Sequence, residues 1–166
     1  MTGDMKPSRA RMTPLPGQES VWDYPRPPRL EHTRERITVE IDGQLIVDTA
    51  DVVRVLETSH PPVYYLPRAA FAPGVLRPTR GQTFCEFKGA ASYLSVGSAR
   101  SAGWFYPQPT PGFEDLADRV AVYPSAMDRC TVNGEVVTAQ EGDFYGGWIT
   151  AKIVGPFKGA PGTWGW

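Results

Sequence analysis

Charge of one sign, cysteine pairs and long apolar runs are all scarce in this chain of 166 residues. Lys plus Arg number 17 against 18 Asp plus Glu, so no electrostatic footprint for a polyanion exists and nucleic acid is not an expected partner. The two cysteines, Cys85 and Cys130, are far apart and outside any C-x-x-C pair, which argues against a zinc ribbon and against a disulfide framework. No metal site and no cofactor are expected, and a reducing cytoplasm is the simplest compartment. No run of about 18 apolar residues is present and the N-terminus lacks the apolar stretch of a secretory signal. A soluble protein with no membrane partner follows.

The chain is instead rich in turn formers and rings. Its 17 Gly and 17 Pro punctuate short apolar runs, which points to a mostly β domain with few helices. Alternation of Ile37, Val39 and Ile41 with polar residues predicts a half-buried strand over Arg36–Ile41. Asp42-Gly43 then predicts a tight hairpin into Leu45–Val47, and Asn133-Gly134 predicts a second hairpin within Cys130–Val137. Further strands are predicted at Val52–Leu56, Val63–Leu66, Thr83–Lys88, Ala91–Val96, Trp104–Tyr106 and Arg119–Tyr123. The only predicted helices are brief, Pro67–Phe71 and Gly112–Asp118.

Outside residues 36–142 the composition changes. Residues 1–20 read as a disordered tail. Residues 21–35 form a proline-rich arm whose Trp22 and Tyr24 are expected to dock on the domain, since a solvated linker gains nothing from two large rings. Residues 143–166 read as a clasp rich in glycine and rings. Within it, Gly155-Pro156-Phe157-Lys158-Gly159-Ala160-Pro161-Gly162-Thr163 lacks the spacing of a phosphate-binding loop, and too little chain follows to form the helix such a loop needs.

The candidate polar groups are Glu57, Cys85 and Lys88. On an ideal strand Cys85 and Lys88 point to opposite faces, so bringing them together needs a bulge or turn at Lys88-Gly89. Cys85 reads either as an inert core thiol or as a pocket thiol. Lys88 either ends a strand in solvent or enters a cleft, in which case Glu57 is its expected counter-ion. The rings Tyr65, Tyr93, Trp104, Tyr106 and Trp148 are candidates for the wall of a small-molecule pocket. His60, in a loop before Pro61-Pro62, and His32 have no Ser or Cys partner at motif spacing, so no hydrolase triad is indicated.

Glu57-Thr58, Tyr64-Tyr65-x-Pro67, Cys85-Glu86-Phe87-Lys88-Gly89-x-Ala91-x-Tyr93 and Trp104-Phe105-Tyr106-x-Gln108-Pro109 resemble the core motifs of the family called domain of unknown function 427, over about Ile37 to Gly134. The segments Asp143–Thr150 and Gly155–Thr163 resemble a tail found in an actinobacterial branch of it. The resemblance implies a β-tent-like fold of bent antiparallel sheets, similar to methionine sulfoxide reductase B and to the thalidomide-binding domain of cereblon, here without the two C-x-x-C zinc pairs. It implies no function. A nucleotidyltransferase label goes with the family, but nucleotidyl transfer needs converging carboxylates for Mg²⁺ beside a glycine loop. Gly97-Ser98 is followed by no Asp-x-Asp, and Asp48 and Asp51 lie outside such an arrangement. Two readings remain: a small-molecule-binding domain, with or without catalysis, and an interaction module that uses exposed rings such as the Trp22–Tyr24 arm. Self-association as a homodimer stays open.

Overall fold

The computed structural model describes residues 10–142 and 145–166. In chain order the strands are β1 (Glu19–Ser20), β2 (Arg29–Thr33), β3 (Ile37–Ile41), β4 (Gln44–Thr49) and β5 (Val52–Leu56), followed by β6 (Val63–Pro67), β7 (Leu76–Cys85), β8 (Gly89–Val96), β9 (Ala99–Phe105) and β10 (Arg119–Val122). The chain continues through β11 (Arg129–Val132), β12 (Glu135–Val136), β13 (Thr138–Ala139), β14 (Trp148–Ile149) and β15 (Ile153–Val154). The predicted helices are single 3₁₀ turns, Arg68–Ala70 and Glu114–Leu116. Prolines at 67 and 111 and a glycine at 112 leave no room for a longer helical run. No helix of the described residues is long and apolar enough to cross a membrane.

A seven-stranded antiparallel sheet runs in the order β2-β5-β6-β10-β9-β8-β7, and a four-stranded one in the order β12-β11-β3-β4. Both hairpins read from the sequence are present. Asp42 and Gly43 have φ of 56° and 71°, and Asn133 and Gly134 have φ of 50° and 84°, the left-handed pairs that match the twist of the flanking strands.

Strand β7 departs from the predicted Thr83–Lys88 at both ends. It begins at Leu76, because an edge strand tolerates Pro78 and a register shift between Pro78 and Gln82 absorbs the misfit. It ends at Cys85, and Glu86, Phe87 and Lys88 form the turn into β8. Gly89 closes that turn at φ 107°, in the left-handed half of backbone space where L side chains are strained.

All five residues of β5 are buried, so the strand needs a partner on each face. On one face Val53 and Val55 join Tyr65, Trp104 and Tyr106 in one apolar cluster. On the other, Val52 joins Tyr64, Leu66 and Trp148 in the largest cluster, while Leu56 packs with Val21, Tyr24 and Ile153. Fully burying each of these aliphatic side chains contributes about 1.5–3 kcal/mol. Cys130 belongs to the largest cluster, and burial pushes its thiol up to about 12.

Between Val52 and Leu56 lies Arg54, only 3% of its side chain exposed. Its guanidinium meets Glu19 at 2.6 Å, Glu31 at 2.6 Å and Glu35 at 4.0 Å. Lys152 reaches Glu35 at 2.7 Å, and the Tyr64 hydroxyl donates to the same carboxylate at 3.3 Å. Burial works against the charge of Glu19, yet hydrogen bonds from Arg54 and Tyr24 outweigh it and hold the carboxyl below its usual range.

These contacts change the picture of the N-terminal segment. Residues 1–9 of the expected disordered tail lie outside the described residues. Residues 10–20 are not a free tail, because Met12 N–H donates to Gly155 O at 3.1 Å and β1 pairs in parallel with β15. Carboxylate convergence on a buried guanidinium is a long-range effect with no local signature. Beyond it, Tyr24 is buried and the Trp22 indole N–H donates to Pro156 O at 2.9 Å, with its ring 5.5 Å from that of Trp166.

Replacing Arg54 by leucine leaves three carboxylates facing one another. The expected loss of stability in urea unfolding is about 2–3 kcal/mol, below the ~3–5 kcal/mol of a fully buried pair because the Glu19 and Glu31 side chains are each 36% exposed. A loss under about 1 kcal/mol, the scale of a surface pair, would show that the network does not hold the arm.

Candidate functional site

Period-two alternation decides which rings meet. On β6, Val63 and Tyr65 share the face of Val53 and Val55, whereas Tyr64 points to the Arg54 side. Tyr93 on β8 stands opposite Trp104 on β9, and Trp104 stands opposite Ala121 on β10. Tyr123, two residues beyond Ala121, therefore falls on the same face. Its ring lies 4.6 Å from Trp104. Tyr65 meets Trp104 edge-on at 6.3 Å, accepts the indole N–H at 3.1 Å, and lies 6.3 Å from the Tyr106 ring.

These rings wall a cavity of about 350 Å³. The other side comes from the loop after β5, which supplies Glu57, His60 and Pro61, and from the C-terminal segment, which supplies Gln140, Tyr145, Gly146 and Lys158. The two sides approach closely. A Cβ on Gly146 would sit 2.3 Å from Trp104 Cη2, so only glycine fits there. Asp143 and Phe144, part of the expected clasp, lie outside the described residues.

Four of the five ring candidates, Tyr65, Tyr93, Trp104 and Tyr106, line the cavity, as do Glu57, Cys85 and Lys88. Trp148 does not. It is fully buried in the largest cluster, its ring 5.0 Å from Tyr64, because β14 places it on the opposite side of the β5–β6 pair. Cys85 is half-buried at the end of β7, and the turn that follows carries Lys88 to the same wall. Thr110 holds the turn, donating its N–H to Lys88 O at 3.1 Å and its hydroxyl to Phe87 O.

The expected ion pair between Lys88 and Glu57 is not formed. Glu57 lies 3.4 Å from Arg26 and 3.7 Å from His60, so the arm, and not the hairpin, neutralises it. Lys88 is 9% exposed and makes no ion pair among the described residues. Its ammonium lies 6.0 Å from the centre of the Tyr106 ring. Burial holds the Tyr65, Tyr106 and Tyr123 phenols well above their ordinary range, so each presents a hydroxyl and not a phenolate.

His60, Gln140, Tyr123 and Lys158 were not singled out for the site by sequence reasoning. Period-two counting from Ala121 to Tyr123 could have found the tyrosine. The others arrive through loops. The side-chain amide of Gln140 has a fixed orientation: its oxygen accepts the Gly147 N–H at 3.1 Å and its nitrogen donates to Lys158 O at 2.6 Å. That nitrogen also faces His60 Nδ1 at 3.3 Å. Nδ1 is therefore the acceptor and Nε2 carries the proton. Burial, with the nearby charges of Lys158, Arg26 and Lys88, pushes His60 down to about 3, so the ring is neutral.

Between its unfolded value of 6.5 and its folded value of about 3, His60 takes up a proton only when the chain unfolds. Stability is fully present above pH 6.5 and falls as pH is lowered, by up to about 1.4 kcal/mol per unit. Urea unfolding between about pH 6.5 and 5, above most carboxylate titration, should show this slope in the wild type and its loss in His60→Gln. Equal slopes would contradict a buried neutral His60.

A family model described as a domain of unknown function, DUF427, matches residues 29–133. No match was found among curated proteins. The match includes the β5, β6, β7, β8, β9 and β10 wall with Glu57, His60, Cys85 and Lys88, and stops before Gln140, Tyr145 and Lys158, so the cavity joins the family's region to the chain's own C-terminal segment. Since the match spans more than half of the 166 residues, the chain belongs to the DUF427 family.

Proposed function

We propose that this chain is a small-molecule-binding domain whose ligand occupies the ring-lined cavity, with Lys88, Glu57 and Cys85 among the polar groups that face it. The observation that carries the reading is Lys88, a residue 9% exposed in the aromatic wall of the cavity, whose ammonium has no ion pair among the described residues. An unpaired ammonium among apolar rings is one of the few placed polar groups that a small-molecule pocket uses, and it suits a ligand that supplies the counter-charge. A volume of about 350 Å³ falls near the small end of ligand pockets, so the ligand is a compact molecule.

The rival reading, an interaction module built on the Trp22–Tyr24 arm, has less support. Tyr24 is 7% exposed and Trp22 packs on Trp166, so these rings serve the domain's own packing. Nucleotidyl transfer is also poorly served. Among the described residues no three His, Cys, Asp or Glu side chains are grouped to hold a metal ion, and Glu57 at the cavity already faces Arg26 and His60. Binding is the proposal, and no reaction is assigned.

Native mass spectrometry of freshly purified full chain tests it. The expected spectrum contains a species heavier than the chain by one small molecule, and denaturation returns the bare mass. The bare chain as the sole species under gentle ionisation would contradict the proposal.

A further inference from the structure

The groups around the cavity are unbalanced in hydrogen-bonding character. On the donor side stand the Lys88 and Lys158 ammonium groups and the His60 ring. His60 Nδ1 is taken by Gln140, which leaves the Nε2–H as the proton the ring presents. Its nearest carboxylate oxygen, on Glu57, is 3.7 Å away, beyond hydrogen-bond range. On the acceptor side, Glu57 is engaged by Arg26 at 3.4 Å, and Glu86 is exposed. The Tyr65 oxygen already accepts the Trp104 indole proton.

The positive groups converge as well. Lys88 and Lys158 line the same cavity as His60, and Arg26 and His60 both lie within ion-pair distance of Glu57. Of Lys88, Lys158 and Arg26, only Arg26 has a carboxylate within ion-pair distance among the described residues. The imidazole offers a fixed donor, because the Gln140 amide holds its other nitrogen. Two ammonium groups without a carboxylate partner and a fixed imidazole N–H, set against apolar rings, complement one kind of molecule: a compact organic anion rich in acceptor oxygens.

We propose that the cavity takes a small organic anion, its apolar or aromatic body against Tyr65, Trp104 and Tyr106 and its carboxylate or phosphate headgroup on Lys88, with Lys158 and the His60 Nε2–H as further donors. This rests on the binding reading above and adds the chemical class of the ligand. The two headgroups share the same requirement for acceptor oxygens and negative charge.

The test is an NMR titration of the ¹⁵N-labelled full chain, following the Trp104 indole N–H and the His60 ring. Four probes that share a phenyl ring are compared at about 0.15 M salt, where long-range surface attraction is screened: benzoate, phenyl phosphate, benzyl alcohol and benzylamine. The expected result is that at least one anion perturbs both reporters and binds at least tenfold more tightly than benzyl alcohol, with benzylamine the weakest. Benzoate and phenyl phosphate distinguish the two headgroups. Lys88→Met should remove the preference for the anion while leaving the weak binding of benzyl alcohol. Wild-type selectivity alone decides the matter if that variant does not fold. Equal binding of all four probes, or tighter binding of benzylamine, overturns the anion assignment and leaves the binding reading standing. No perturbation of either reporter by any probe overturns both.

Discussion

Burying a guanidinium is the constraint on which the rest of this structure depends. Arg54 sits in the middle of a strand buried on both faces, and its charge is tolerable only if carboxylates come to it. Glu31 arrives on the neighbouring strand, Glu35 from the connection after it, and Glu19 from β1. Because β1 pairs with β15 and Lys152 bonds Glu35, one cation draws the start and the end of the described chain onto the same side of the β5–β6 pair. The arm so placed supplies Arg26 to Glu57, and the C-terminal segment supplies Gln140 and Lys158 to the cavity. The site on one face is assembled by the ion network on the other.

The contrast between Arg54 and Lys88 supports the functional reading. Arg54 meets two carboxylates at 2.6 Å and a third at 4.0 Å. Lys88, 9% exposed in a wall of rings, meets none among the described residues. Where stability is the requirement, this fold supplies counter-ions. An ammonium left without one is a local inconsistency of the kind that proteins retain at functional sites. The turn at Glu86–Lys88, with Gly89 in the left-handed region and Thr110 bonded to two of its carbonyls, keeps Lys88 directed at the cavity.

Much of the fold was legible locally. Asp42-Gly43 and Asn133-Gly134 announced their hairpins through turn chemistry, and alternation placed Tyr65, Tyr93 and Trp104 on one face. What the sequence concealed depends on distance along the chain. Trp148 belongs to the Tyr64 side because β14 follows β13 onto that side, which no local period reveals. The Lys88–Glu57 pair was inferred from two charges in ring-rich segments, and it failed because Arg26, 31 residues before Glu57 in the sequence, lies nearer. His60 read as an ordinary loop residue until Gln140, 80 positions away, fixed its tautomer. Strand β7 was read too short because proline and glycine usually end strands, a rule that edge position relaxes.

If Lys88 serves a ligand and not the fold, the stability of Lys88→Met shows it. Urea unfolding of the wild-type and variant chains, both freed of ligand by refolding, gives the comparison. Methionine keeps the stem and removes an uncompensated charge, so the variant should be as stable as the wild type or more stable by up to about 2 kcal/mol. A loss of about 3 kcal/mol or more, the cost of breaking a buried ion pair, would make Lys88 a structural residue and contradict the account.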